Sequence, residues 1–251
     1  MGEYVHSVTL DTAACRGCIT CVKRCPTEAI RVRGGKARIL KERCIDCGEC
    51  IRVCPHHAKR AVTDHLAEME RYRYTIALPA PALYGQFNNL DDAEVVLAGL
   101  LEMGFDEVYE VAAAAELVSD ATRLLLSQGG LERPVISSAC PAVLRLIRVR
   151  FPELLDNVLP LVAPVELAAR DAKRQASRRL GIPASEIGCV FISPCPAKMT
   201  AAKNPLGTGR SDIDLVVSVS EVYPALCSAM RQAGEPGEEL AAAGRTGIGW
   251  G

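Results

Sequence analysis

Aromatic residues are scarce, 4% of 251 residues with a single Trp and four Phe, so any core must rest on Val, Leu, Ile and Ala. No stretch approaches the roughly 18 consecutive apolar residues that a membrane span requires. Met1 to Asp11 lacks the basic and then apolar segments of an export signal. Net charge is nearly absent too, at −1, so the overall balance offers no hold on nucleic acid. With 49% apolar and 24% charged residues the chain is neither disordered nor collagen-like. Its length fits one large domain, or a small domain joined to a medium one. What is abundant is cysteine, with 12 residues. A chain read as cytoplasmic keeps its thiols reduced, which makes metal ligation their leading explanation.

Eight of the 12 cysteines fall within the first 54 residues. Residues 1–63 carry 12 Lys+Arg against 6 Asp+Glu, a formal +6, and residues 64–251 carry −7. The expected division is a small cysteine-dense domain over 1–63, a polar linker over 64–73 and a larger domain over 74–251. The small domain has few large apolar side chains and needs a staple of some kind. Beyond it two apolar periods alternate. Thr75–Leu78, Glu107–Val111, Val135–Ser138, Cys189–Ile192 and Asp214–Val219 read as short buried strands. Asp91–Met103 reads as a helix capped by Asp91 or Asp92. Leu117, Val118, Ala121, Leu124 and Leu125 mark one helical face, and Val165, Ala168, Ala172, Ala176 and Leu180 another, ended by Gly181. Ala225, Ala229 and Ala233 suggest a last helix. The pattern predicts an α/β domain with a mostly parallel sheet. After Glu235–Glu239, which read as a loop, Gly247–Gly251 look like the entrance to another strand, so this domain is expected to be incomplete at its C-terminus.

Cys15-x2-Cys18-x2-Cys21-x3-Cys25-Pro26 recurs 29 residues later as Cys44-x2-Cys47-x2-Cys50-x3-Cys54-Pro55. This is the run of bacterial two-cluster ferredoxins. Three cysteines at x2 spacing wrap one side of a cubane cluster, while the fourth leaves ahead of proline and reaches the other cube. The expected sets are Cys15, Cys18, Cys21 and Cys54 for one [4Fe-4S] cluster and Cys44, Cys47, Cys50 and Cys25 for the second. Structural zinc favours two CxxC pairs rather than such a run. Ile30–Leu40, centred on Gly34-Gly35, reads as a hairpin between the halves. An oxidised cluster with four thiolates carries −2, so two clusters reduce the +6 of this region to about +2.

Two further corners look alike. Val135 to Ala142 ends in Ala139-Cys140-Pro141-Ala142, and Val190 to Ala197 ends in Pro194-Cys195-Pro196-Ala197. Proline at a first helical position places each cysteine at the N-cap, where the helix dipole favours a thiolate. In a parallel sheet both would follow strand ends, where ligands gather. The corners read either as a second metal site or as two inert turn cysteines.

With these motifs the chain resembles the large subunit of [FeFe]-hydrogenases preceded by a two-cluster ferredoxin module. Ser137-Ser138-Ala139-Cys140-Pro141 stands where that family has Thr-Ser-Cys-Cys-Pro, and Ser193-Pro194-Cys195-Pro196-Ala197-Lys198 where it has Met-Pro-Cys-x-x-Lys. Asp212-Ile213-Asp214-Leu215-Val216, Phe105-Asp106-Glu107-Val108 and Ala80-Pro81-Ala82 also resemble family segments. The resemblance implies an α+β ferredoxin-like dicluster domain followed by an α/β Fe-only hydrogenase-like domain. It implies that Cys140 and Cys195 hold a third cube, the [4Fe-4S] part of an H-cluster, and that Lys198 donates a hydrogen bond to that cofactor. The departures are as informative. Ala139 stands at the proton-delivering cysteine, Ser193 at the methionine beside the di-iron unit and Ala201 at an acidic relay residue. A third signature, Cys-x3-Cys, is not found after Cys227.

A relay broken at two points argues against rapid H2 turnover. The expected function is H2 or redox sensing, or electron relay, with a redox partner such as a ferredoxin or an oxidoreductase subunit. A downstream sensor or signalling domain, an anaerobic host, no nucleic-acid partner and no membrane span complete the expectation. The alternatives are a fragment of a catalytic hydrogenase and an iron–sulfur carrier or assembly scaffold. Cys189 and Cys227 read as small buried hydrophobes. His56 and His57 read as turn residues, His6 and His65 have no visible partner, and Arg145, Arg148, Arg150 and the group from Arg170 to Arg179 read as the wet sides of helices.

Overall fold

The computed structural model describes residues 5–233 apart from 89, 91 and 208. The capping role of Asp91 and the readings of Glu235–Glu239 and Gly247–Gly251 lie outside the described residues. Two compact units result, and neither is a contiguous stretch. The first joins the chain up to Thr63 with Leu131–Pro160 and Cys195–Arg210. The second joins Asp64–Gly130, Leu161–Pro194 and the chain from Ser211.

In the first unit β1 (Val8–Leu10), β2 (Ile30–Arg33), β3 (Lys36–Ile39) and β4 (Lys59–Ala61) form two antiparallel ribbons, β1 with β4 and β2 with β3. Gly34 and Gly35, at φ 55° and 70°, both take the left-handed conformation of a two-residue hairpin turn, as their pairing predicts. The sequence repeat is also a backbone repeat. Gly17 and Asp46, 29 residues apart, have φ of 70° and 52°, and Glu28 and His57, equally spaced, have 53° and 48°. One apolar cluster of this unit is built on Cys15, Cys21, Ile30, Ala37 and Ala58.

The two later segments of this unit supply the helices Pro141–Arg150 and Pro196–Lys203, with Cys140 and Cys195 at their N-caps and proline at the first position. Ser7 ties the second helix to the start of β1: its Oγ donates to the Pro196 carbonyl at 2.6 Å and its N–H to Thr200 Oγ1 at 3.2 Å. The strand expected over Val135–Ser138 does not form, and only Ile136 pairs, in an isolated bridge to Val158. Pro134 removes a donor at its start, and the Ser137 hydroxyl accepts the Ala139 N–H at 3.3 Å, closing a local turn instead. Cys140 therefore follows a turn rather than a strand end.

The second unit holds a parallel sheet of β5 (Tyr74–Pro79), β6 (Glu107–Val108), β7 (Ile187–Ser193) and β8 (Leu215–Ser218), in the order β6-β5-β7-β8. Every residue of β7 is buried, which explains its continuous apolar run. Helices Glu94–Glu102 and Val219–Ala233 pack together over a core that includes Val96, Leu100, Val190, Ile192 and Leu226. Helix Pro164–Leu180 buries Val165, Ala168, Ala172 and Ala176 as expected and ends at Gly181 in the left-handed conformation. Helix Val111–Gln128 departs from expectation. Its buried face is Val111, Ala112, Ala114 and Ala115, while Leu117 and Leu124 are exposed. Small alanines set its contact with Pro164–Leu180, so only its first turns are enclosed. No helix among the described residues is long and apolar enough to cross a membrane.

Candidate metal centres

Each cysteine run starts in a loop whose left-handed residue, Gly17 or Asp46, turns the chain back, and continues into a short helix, Thr20–Arg24 or Glu49–Arg52. The third cysteines, Cys21 and Cys50, lie on those helices. The fourth, Cys25 and Cys54, follow them, and each thiol sulfur accepts the N–H four residues on, from Ala29 at 3.2 Å and Ala58 at 3.3 Å.

The runs cross. Cys25 lines one cavity together with Cys44, Cys47 and Cys50, and its charge is felt at all three. Cys21 feels Cys18 and Cys54 in the same way. All 12 cysteines are free thiols. Burial pushes the thiols of Cys44 and Cys50 up to about 12, with neighbouring Asp46 adding to the rise at Cys44. A bound metal reverses that order, because a coordinating thiol is deprotonated outright. Backbone N–H groups of Ala37 and Gly17 instead hold the Cys15 thiol below its ordinary value. Converging sulfurs, buried or half-buried except at the exposed Cys47, with N–H groups aimed at them are the donor set that an anionic iron–sulfur cube needs.

Beside Cys44 stand Asp46, which the sequence does not single out, and His6 and Arg145, whose partners it does not reveal. Asp46, almost fully buried, receives the Val8 N–H at 3.0 Å on Oδ1 and lies 2.8 Å from His6 Nδ1 through Oδ2. The Cys44 thiol approaches Asp46 at 3.7 Å. Arg145, expected on a wet helix face, is 4% exposed and pairs with Asp46 at 3.4 Å. Burial brings its guanidinium down to about 10. Lys173 departs from its expectation in the same way: it is buried and paired with Asp214 at 2.7 Å. Arg148, Arg150, Arg170, Arg174, Arg178 and Arg179 are exposed as read.

At the Cys-Pro corners, Lys198 Nζ donates to the Ala139 carbonyl at 2.7 Å, which joins the two. Cys140 is exposed and Cys195 half-buried. Cys189 is fully enclosed in β7, where burial raises its thiol, and Cys227 is half-buried on the last helix; both belong to the second unit. His56 and His57 are exposed, and His65 lies 3.6 Å from Glu221.

Residues 73–235 match the model of the iron only hydrogenase large subunit, C-terminal domain, which covers well over half of the chain. The chain belongs to the iron-only hydrogenase large-subunit family. Residues 7–55 match a 4Fe-4S dicluster domain, so this family member carries two [4Fe-4S] clusters in its N-terminal region. It is 27% identical to the periplasmic [Fe] hydrogenase large subunit of Nitratidesulfovibrio vulgaris, over 88% of this chain and 57% of that one. It is 28% identical to the cytosolic Fe-S cluster assembly factor nar1 of Aspergillus niger, over 54% of this chain and 25% of that one. Its fold matches a variant of the [FeFe]-hydrogenase HydA1 from Chlamydomonas reinhardtii with a TM-score of 0.55 at 21% identity, over 65% of this chain and 46% of that one. The chain spans between about a third and just over half the length of the curated hydrogenases it matches. For a third cube the first unit offers two thiols, Cys140 and Cys195, where a [4Fe-4S] cube takes four. The donor set is thus half of what such a cube requires.

Proposed function

We propose that this hydrogenase-like iron–sulfur protein is an electron relay or a sensor of H2 or redox poise, and not a rapid H2-converting enzyme. In this reading Cys15, Cys18, Cys21 and Cys54 hold one cluster, and Cys44, Cys47, Cys50 and Cys25 the other. Cys140 and Cys195 contribute two ligands to a third cube, with Lys198 as a charge-assisted donor beside it. Two clusters would supply one-electron carriers. The partner is a soluble redox protein in a cytoplasmic, anaerobic setting.

The observation that carries this reading is the Lys198 bond to the Ala139 carbonyl. It supports a built corner at Cys140 in which the adjacent side chain is a methyl group. A methyl group holds no proton, and proton transfer requires groups within hydrogen-bond reach. The test is the anaerobically reconstituted chain supplied with reduced viologen. Reversible one-electron reduction is expected, with H2 release far below that of a hydrogenase relative assayed alongside. Turnover at the relative's rate with Ala139 in place would sink the proposal. The match to an assembly factor favours one second reading, a cluster carrier. Transfer of iron and sulfide from the chain to an apo-ferredoxin would select it.

A further inference from the structure

At one buried position the 29-residue repeat exchanges an apolar side chain for a cation. In the first half Ala29, bonded to the Cys25 sulfur, is followed by Ile30, which is 2% exposed and lines the cavity of Cys25, Cys44, Cys47 and Cys50. In the second half Ala58, bonded to the Cys54 sulfur, is followed by Lys59, which is 3% exposed. Ile30 also packs with Cys15 and Cys21, and at the place that matches it in the repeat the chain buries an ammonium.

Lys59 opens β4 opposite Leu10 of β1, and the two residues after it are exposed, so it is the inward residue of its strand. Its Nζ is enclosed, and no group among the described residues accepts a hydrogen bond from it. The positive charge is felt at Cys21 and Cys15 of the first set, and at Cys50 of the second. A buried cation without a hydrogen-bond partner is costly unless an anion lies alongside. A cube with four thiolates is such an anion, and it becomes a stronger one when it gains an electron.

We propose that Lys59 makes the two clusters unequal: its ammonium favours the reduced state of the cluster on Cys15, Cys18, Cys21 and Cys54, which fills first. The step is the uptake of one electron from a one-electron donor such as reduced viologen. The cube with its thiolates passes from −2 to −3, no bond breaks and no proton is taken up. This inference rests on the ligand sets proposed above.

The test is a redox titration of the full reconstituted chain, followed by electron paramagnetic resonance. The parent chain should hold about eight irons and show two centres of unequal potential, by four irons per cube. Lys59→Ile recreates the Ile30 environment and should weaken reduction of the higher-potential centre at least tenfold, about 59 mV for one electron. Lys59→Met should do the same in case the β-branched side chain disturbs folding, and Lys59→Arg should keep the gap. Adding Ile30→Lys to Lys59→Ile should reverse the order of the two centres. An unchanged gap in Lys59→Ile and Lys59→Met, with both signals present, overturns the role of Lys59 alone. A parent chain with one cluster overturns the ligand sets, and with them this inference.

Discussion

Asp46 occupies the place that Gly17 holds in the first cysteine loop, and the exchange brings a buried carboxylate to the edge of the second cysteine set. Aspartate tolerates the left-handed backbone better than most residues, because its short side chain bonds locally. Here the side chain reaches farther: one oxygen accepts the Val8 N–H, 38 residues away, and the other meets His6 and Arg145. Asp46→Ala leaves the Arg145 guanidinium buried without its counter-charge and should cost about 3–5 kcal/mol of stability. Asp46→Asn keeps an acceptor for Val8 and should cost less. Urea unfolding of the reconstituted protein measures both, and a loss below about 1 kcal/mol in Asp46→Ala would contradict the pairing. The eight cysteines were legible in the sequence because cluster chemistry fixes their spacing. Asp46 and Arg145 were not, since they are 99 residues apart and no period links them. Arg145 lies on a helix whose other arginines, Arg148 and Arg150, do face solvent, so sequence pattern alone assigns all three to water.

Among the elements, the β2–β3 hairpin was legible because two glycines between apolar runs admit one favoured turn. Its neighbour Gly17 has a tighter requirement that sequence does not reveal. A Cβ there would stand 2.2 Å from the Gly35 carbonyl oxygen and 2.6 Å from its carbon, backbone atoms that cannot rotate away. A Cβ on Gly35 itself meets open space, and only the left-handed strain of about 1–2 kcal/mol remains. Gly17→Ala should therefore lose iron from the cluster of the first run, while Gly35→Ala keeps full iron with a modest drop in urea midpoint. Equal iron retention in the two variants would contradict this packing. The strand expected at Val135–Ser138 failed for a local reason, a serine turn that competes with pairing. The leucine face of Val111–Gln128 failed for a tertiary one. Periodicity marks which residues share a face, but not how much of the helix finds a neighbour.

At the scale of the whole molecule, composition marked the change near residue 63, and strand–helix alternation marked the parallel sheet that follows. The assignment of Leu131–Pro160 and Cys195–Arg210 to the cysteine-rich unit was not legible. Those segments read as part of a continuous α/β pattern, and only long-range ties such as Ser7 to Pro196 and Lys198 to Ala139 reveal where they belong. Both Cys-Pro corners thereby fall in the unit that carries the clusters, which fits one redox body assembled from three stretches of chain. The central claim is that the fourth cysteine of each run serves the other run's cube. Iron content of the double variant Cys25→Ala/Cys44→Ala tests it most directly. If the runs cross, both losses strike one cube, and about four irons with one paramagnetic centre remain on Cys15, Cys18, Cys21 and Cys54. Loss of both centres, with iron near zero, would mean that each run closes on its own cube and would contradict the account.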